Sequence, residues 1–270
     1  MRKIISRNFV NTVSSLKRTT ETQVWEPKVP EVVSLSNGAL VTEHGVEKSA
    51  FEAFFEKMET PSYCGYKWEL VNNNVVIFDI ANTPHEKAAG AFDFVLIREL
   101  ILGGWEDDLL LSRSSKFVNP DPKCSNWQPD SSFVPNQRRG VMGSFDELSP
   151  YPTMVLEIAS SETETHVIDK AREYLGPKTD IQIVIVLLIR PDERGADRLQ
   201  ALKFERGPGQ YMPCWKCSFA DPVCTQAGDP MFRLQIPVNL LFDNAPIPAA
   251  LAGRTNVELD LFLWTKRLVY

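Results

Sequence analysis

Near the middle of the chain two apolar runs, "TMVLEIA" (Thr153 to Ala159) and "IQIVIVLLI" (Ile181 to Ile189), flank a segment that closes at Gly176-Pro177. This strand, helix, strand order restricts the fold more than any other feature. Two strands joined through a helix run parallel, and strands that are apolar almost throughout need cover on both faces. The chain is therefore predicted to be α/β, with a mixed central β-sheet flanked by helices. Composition supplies the core this requires, with 43% of the 270 residues hydrophobic and 24% charged. The longest apolar run, Ile181 to Ile189, is about half of what a bilayer span needs, so no membrane segment is expected.

One residue breaks the first of these strands. Glu157 sits among apolar neighbours, and burying an unpaired carboxylate is costly enough that such a residue is usually paired, at a strand end, or holding a metal. The following helix offers a partner. Val167, Ile168, Ala171, Tyr174 and Leu175 define its buried stripe. Lys170 lies about 100° from the stripe centre, on the flank that can reach back to the sheet, and Asp169 lies about 160° away, toward solvent. A lysine so placed either stabilises phosphate charge beside a metal or is a flanking lysine whose stem covers apolar surface.

Other elements follow from local pattern. Phe51, Phe54, Phe55 and Met58 recur at helical spacing and stop at Pro61. "KWELV", which holds Glu69, and "VVIFDIA" read as a hairpin around Asn72-Asn73-Asn74. "TPHE" opens a helix with a capping box that runs to about Leu102 and ends at Gly103-Gly104. Short strands are expected around Leu109, Phe117 and Phe133, the last preceded by Pro129-Asp130, and again around Leu202 and Leu234. A final helix is predicted from Thr255, with Glu258 completing a second capping box.

Three acids thus lie in strands or at their starts: Glu69, Asp130 and Glu157. Brought to one sheet end, they would offer the hard oxygen donors that suit Mg²⁺ or Mn²⁺. The ordered series "WELV", "TPHE", "QPDSSFVP", "VLEIASSETE" and the helix Lys170 to Tyr174 resembles the putative restriction endonuclease family of the PD-(D/E)xK nuclease-like superfamily, over roughly Val46 to Phe242. The resemblance implies a restriction-endonuclease-like fold and metal-dependent hydrolysis of phosphodiester bonds in nucleic acid, DNA foremost. Glu69, Asp130 and Glu157 would hold the metal. The usual lysine two residues after the last acid is here Ala159; in some members the following helix supplies it, which would be Lys170. His85 stands where the family often has histidine, a position where it could contact phosphate or simply bond locally at a helix start. The alternative reading is a catalytically degenerate descendant that acts as a binding or interaction module.

Composition sets off a basic N-terminal extension and linker over 1–40, the resemblance implies an endonuclease-like domain over 41–250, and 251–270 is expected to be a C-terminal helix packed on that domain. The first twenty residues carry Arg2, Lys3, Arg7, Lys17 and Arg18 and no acid, so the remainder is more acidic than the net charge of −6. That acidity disfavours loose, charge-driven nucleic-acid binding. Five cysteines, an odd number, point to reduced thiols and an intracellular setting, cytoplasm or nucleus, with the mitochondrion as the option raised by the basic leader. Cys214, Cys217 and Cys224 lack a fourth zinc ligand and read as ordinary thiols. No Walker loop, dinucleotide-binding glycine series, HExxH or GxSxG occurs. Oligomeric state is left open, a homodimer being one option.

Overall fold

The computed structural model describes residues 40–57, 66–79, 83–112, 117–121, 123–124, 126–140, 142–143, 150–160, 162–191, 197–209, 211–219 and 224–268. The basic leader lies outside the described residues, as does Met58. In chain order the elements are β1 (Leu40–His44), α1 (Lys48–Lys57), β2 (Tyr66–Val71), β3 (Asn74–Asp79), α2 (Thr83–Gly103), β4 (Leu109–Ser112), β5 (Ser131–Pro135), β6 (Met154–Ala159) and α3 (Glu164–Tyr174). They continue with β7 (Ile183–Pro191), β8 (Asp197–Glu205), β9 (Trp215–Ser218), β10 (Arg233–Pro237), α4 (Val238–Leu241), β11 (Asn256–Asp260) and α5 (Leu261–Leu268).

Six strands form the central sheet in the order β4-β5-β6-β7-β8-β9. Only β6 and β7 pair in parallel, across α3, and the other neighbours are antiparallel, so the sheet is mixed. Strand periodicity then sorts the side chains of β6. Leu156 and Ile158 join the core under α2 and α5, with Phe92, Val95, Leu96 and Trp264. Val155 and Ala159 join the opposite core under α3, with Val167, Ala171 and Tyr174. Glu157 falls between Val155 and Ala159 in the alternation, so it must point toward α3.

A separate antiparallel sheet, β1-β3-β2, delivers Glu69 to the same side. Its β2–β3 hairpin turns at Asn72 and Asn73, whose φ of 50° and 61° give the twist that a two-residue connection favours. The turn is pinned by the Asn73 amide, which donates to the Lys123 carbonyl at 2.8 Å. Helix α2 begins at Thr83 and stops where Gly104 takes φ 71°. There the amides of Gly104 and Trp105 return to the carbonyls of Ile101 and Leu100, satisfying two orphaned acceptors of the last turn.

The helix predicted from Thr255 is corrected. Residues Asn256–Asp260 are β11, paired antiparallel with β10. Val257 and Leu259 alternate inward beside Leu234 and Ile236, which a strand permits and a helix does not. Glu258 accepts from Arg233 and Gln235 across the strands, both at 2.9 Å, rather than capping a helix. The helix α5 starts later, where Asp260 Oδ1 accepts from the Phe262 amide at 3.0 Å. Strands β1 and β9 are additions to the sequence reading, and Phe117 forms an isolated bridge with Trp127 rather than a strand.

Candidate active site

Helix α3 begins with Thr163 as its cap, the Thr163 hydroxyl accepting from the His166 amide at 3.2 Å. This start sets the rotation of every later side chain. Val167, Ala171 and Tyr174 face the sheet, Asp169 is exposed, and Lys170 turns inward to be only 5% exposed. Its Nζ lies 3.0 Å from Glu157 Oε2 and 3.1 Å from Glu69 Oε1. One ammonium therefore joins two of the three predicted acids, one from each sheet.

Glu157 is 1% exposed. Its second oxygen accepts from the Tyr174 hydroxyl, one turn beyond Lys170 on the same helix. Burial alone would lower the lysine, but Glu157 and then Glu69 outweigh it and hold the ammonium well above its ordinary value. Burial and the neighbouring Glu157 charge likewise push the Tyr174 hydroxyl well up. At neutral pH Lys170 is a permanent cation and Tyr174 a neutral donor.

Asp130 stands just before β5, where its amide donates to the Leu156 carbonyl at 3.1 Å. Its carboxylate is drawn to different partners from those of the other two acids. Oδ2 accepts from the Ile158 amide at 2.6 Å, and Oδ1 lies 3.3 Å from His85 Nε2, at the start of α2.

Besides Tyr174, two side chains that the sequence reading did not place in the site stand beside it. His166 Nε2 lies 3.3 Å from Glu69 Oε2 and 3.8 Å from Glu162 Oε2. Among the described residues, Glu69, Glu162 and His166 are the group of potential metal ligands whose atoms all lie within 4.8 Å of one another. Burial lowers the imidazole, but hydrogen bonding to Glu69 and the charges of Glu69 and Glu162 together raise it above its ordinary value. The available signal was the i, i+4 spacing of Glu162 and His166 across the helix start, which puts both on one face.

Glu69, His166 and Lys170 line a cleft of about 370 Å³ whose lining also includes Trp127, Asn119 and Arg172. Trp127 packs on Tyr174 with ring centroids 4.9 Å apart, so the wall and the Glu157 anchor are one packed unit.

Residues 51–201 match the family described as Uma2, putative restriction endonuclease. The chain belongs to that family. The side chains described at and around this candidate site, Glu69, His85, Asp130, Glu157, Glu162, His166, Lys170 and Tyr174, fall within the span matched to Uma2. A solved structure described as a putative nuclease belonging to DUF820, from Anabaena variabilis, is similar at 14% identity, with a TM-score of 0.47, covering 83% of this chain and 99% of that one. No curated protein matches the chain. Among the described residues no helix is long and apolar enough to cross a membrane.

Proposed function

We propose that this Uma2 protein hydrolyses phosphodiester bonds in nucleic acid with the help of a divalent cation, Mg²⁺ or Mn²⁺, held by Glu69, Asp130 and Glu157. The observation that supports this most is Lys170, a buried ammonium between Glu157 and Glu69 at the wall of a cleft. In kind the donors fit a hard cation, since all three are carboxylates. In position they are only partly gathered, with Glu69 and Glu157 on one ammonium and Asp130 on the Ile158 amide and His85. The cation would polarise the phosphoryl oxygens and make bound water more acidic.

The chain's own groups have narrower tasks. Lys170, held protonated, cannot act as a general base and instead offers fixed positive charge to phosphate oxygens as negative charge builds on them. Tyr174 holds the Glu157 carboxylate in one orientation through the hydroxyl it donates. The Thr163 cap fixes the helix phase that aims Lys170.

Chelator-treated protein, incubated with a mixed DNA and RNA panel, is expected to cut only when Mg²⁺ or Mn²⁺ is returned, and Lys170→Met is expected to abolish cutting. Absence of cutting by wild type under every cation would favour the second reading, a non-catalytic interaction module. That reading is supported by the engagement of both Glu157 oxygens with protein donors in a nearly dry position.

A further inference from the structure

The carboxylate of Glu69 faces two ways. Oε1 meets Lys170, whereas Oε2 meets His166, behind which stands Glu162. Glu157 stands on the first side, 3.0 Å from Lys170. The second side is therefore a distinct set of donors, two carboxylate oxygens and one imidazole nitrogen, drawn from β2 and the start of α3.

We infer that Glu69, Glu162 and His166 form a second cation position, selective for a divalent transition metal such as Mn²⁺ or Zn²⁺, with Glu69 bridging it to the Lys170 side. The inference rests on the proposed nuclease reading only through Glu69, which both share.

Spacing, burial and access support it. First, the spacing is close to what coordination requires. Metal–ligand bonds of about 2.1 Å place neighbouring donors roughly 3.0–3.5 Å apart. Here His166 Nε2 is 3.3 Å from Glu69 Oε2 and 3.8 Å from Glu162 Oε2, and the three donor atoms all lie within 4.8 Å of one another, so the two carboxylates close on an ion by side-chain rotation. Second, Glu162 is 6% exposed, so an ion beside it would meet protein donors more than solvent. Third, Glu69 and His166 open onto the cleft of about 370 Å³, which gives an ion a path of entry.

The nitrogen donor decides the class of ion. An imidazole is a poor partner for Mg²⁺ or Ca²⁺, which prefer all-oxygen sets, and a good one for Zn²⁺, with Mn²⁺, an oxygen-preferring ion that stands lowest in the transition-metal affinity order, between them. The i, i+4 pairing of Glu162 with His166 also makes the pair local and preformed, because Thr163 already fixes the first turn of α3. Only Glu69 has to be delivered from the other sheet.

The test uses full-length, chelator-treated protein titrated with Mn²⁺ and followed by calorimetry and pulsed electron paramagnetic resonance. The expected result is a bound Mn²⁺ whose spectrum carries nitrogen-14 modulation from a directly ligated imidazole. His166→Gln is expected to erase the modulation and weaken Mn²⁺ binding on the order of a hundredfold. Glu162→Gln is expected to weaken binding similarly while the residual signal keeps its nitrogen coupling. Zn²⁺ is expected to displace Mn²⁺, and Mg²⁺ at equal concentration is not. Bound Mn²⁺ without nitrogen coupling, or coupling that survives His166→Gln, overturns the inference. If that nitrogen-free binding is instead lost in Asp130→Asn and Glu157→Gln, the inference fails while the metal reading of the proposed function stands. If no divalent ion binds at all, both fail.

Discussion

Glu157→Gln is the substitution that most directly asks what the buried ion pair does. In a cluster of acids without a cation, neutralising one member would relieve repulsion and raise stability. The geometry argues for the opposite sign, because Lys170 already neutralises Glu157 at 3.0 Å and both side chains are almost wholly enclosed. Removing one partner of a buried pair costs about 3–5 kcal/mol, most of it from the charge left behind. Here Lys170 keeps Glu69 at 3.1 Å, and the glutamine carbonyl can still accept from Tyr174. The low end applies, about 3 kcal/mol, equivalent to a fall of roughly 6–12 °C in Tm for a chain of this size. The assay is thermal and urea denaturation in chelator of wild type, Glu157→Gln, Lys170→Met and the double variant. Because the double variant leaves no stranded charge, it is expected to be more stable than the sum of the single losses predicts, by about 2 kcal/mol. A Glu157→Gln protein as stable as wild type, or strictly additive losses, would refute the reasoning.

Alkaline unfolding supplies a second check. Lys170 and Tyr174 are both raised above their ordinary values of 10.5 and 10.0, so their contribution is complete below those values and is lost as pH climbs through the folded ones. Denaturation midpoints of wild type should therefore fall with pH above about 10, and Tyr174→Phe should fall less steeply. At the hairpin, Asn73 holds φ 61°, so Asn73→Ala is expected to cost about 1 kcal/mol in urea denaturation and Asn73→Gly close to nothing. Trp264, fully buried with its Nε1 donating to the Ala88 carbonyl at 3.0 Å, ties α5 to α2; Trp264→Ala is expected to cost about 4 kcal/mol by the same measurement. Arg138, whose guanidinium donates to the carbonyls of Tyr151, Asp180 and Asp243, is expected to cost about 3 kcal/mol when changed to Met, since three acceptors lose their donor.

What could be read in the sequence was what depends on local period. Alternation in β6 points Glu157 to one face, and the apolar stripe of α3 turns Lys170 toward that same face, so their meeting follows from two short segments. The Asn-Asn hairpin and the Gly-Gly end of α2 were legible because positive φ has few suitable residues. What could not be read depends on pairing between distant segments. Glu69 meets His166 only because the smaller sheet docks beside α3, and no local pattern carries that placement. Asp130 finds the Ile158 amide because β5 lies against β6, which likewise is not a local property. In β11 the failure was of another kind, because Thr255 and Glu258 imitate a helix start while the alternation of Val257 and Leu259 is too short to outweigh it.

The division of labour between β6 and α3 also makes helical phase a functional quantity. A lysine on the strand would travel with its acid whatever happened downstream. Here the ammonium belongs to a different element, and it meets Glu157 only while α3 keeps its rotation from the Thr163 cap onward. A residue inserted within α3, between Thr163 and Lys170, turns every later helical side chain by about 100° and shifts it by about 1.5 Å relative to the cap. Such an insertion would swing Lys170 off the sheet, displace Tyr174 from Glu157, and leave the strand and its carboxylate where they were. A change of length in the connection before the cap leaves that phase intact, as surface connections usually do. The first turns of α3 thus work as a gear with a fixed number of teeth between the cap and the ammonium.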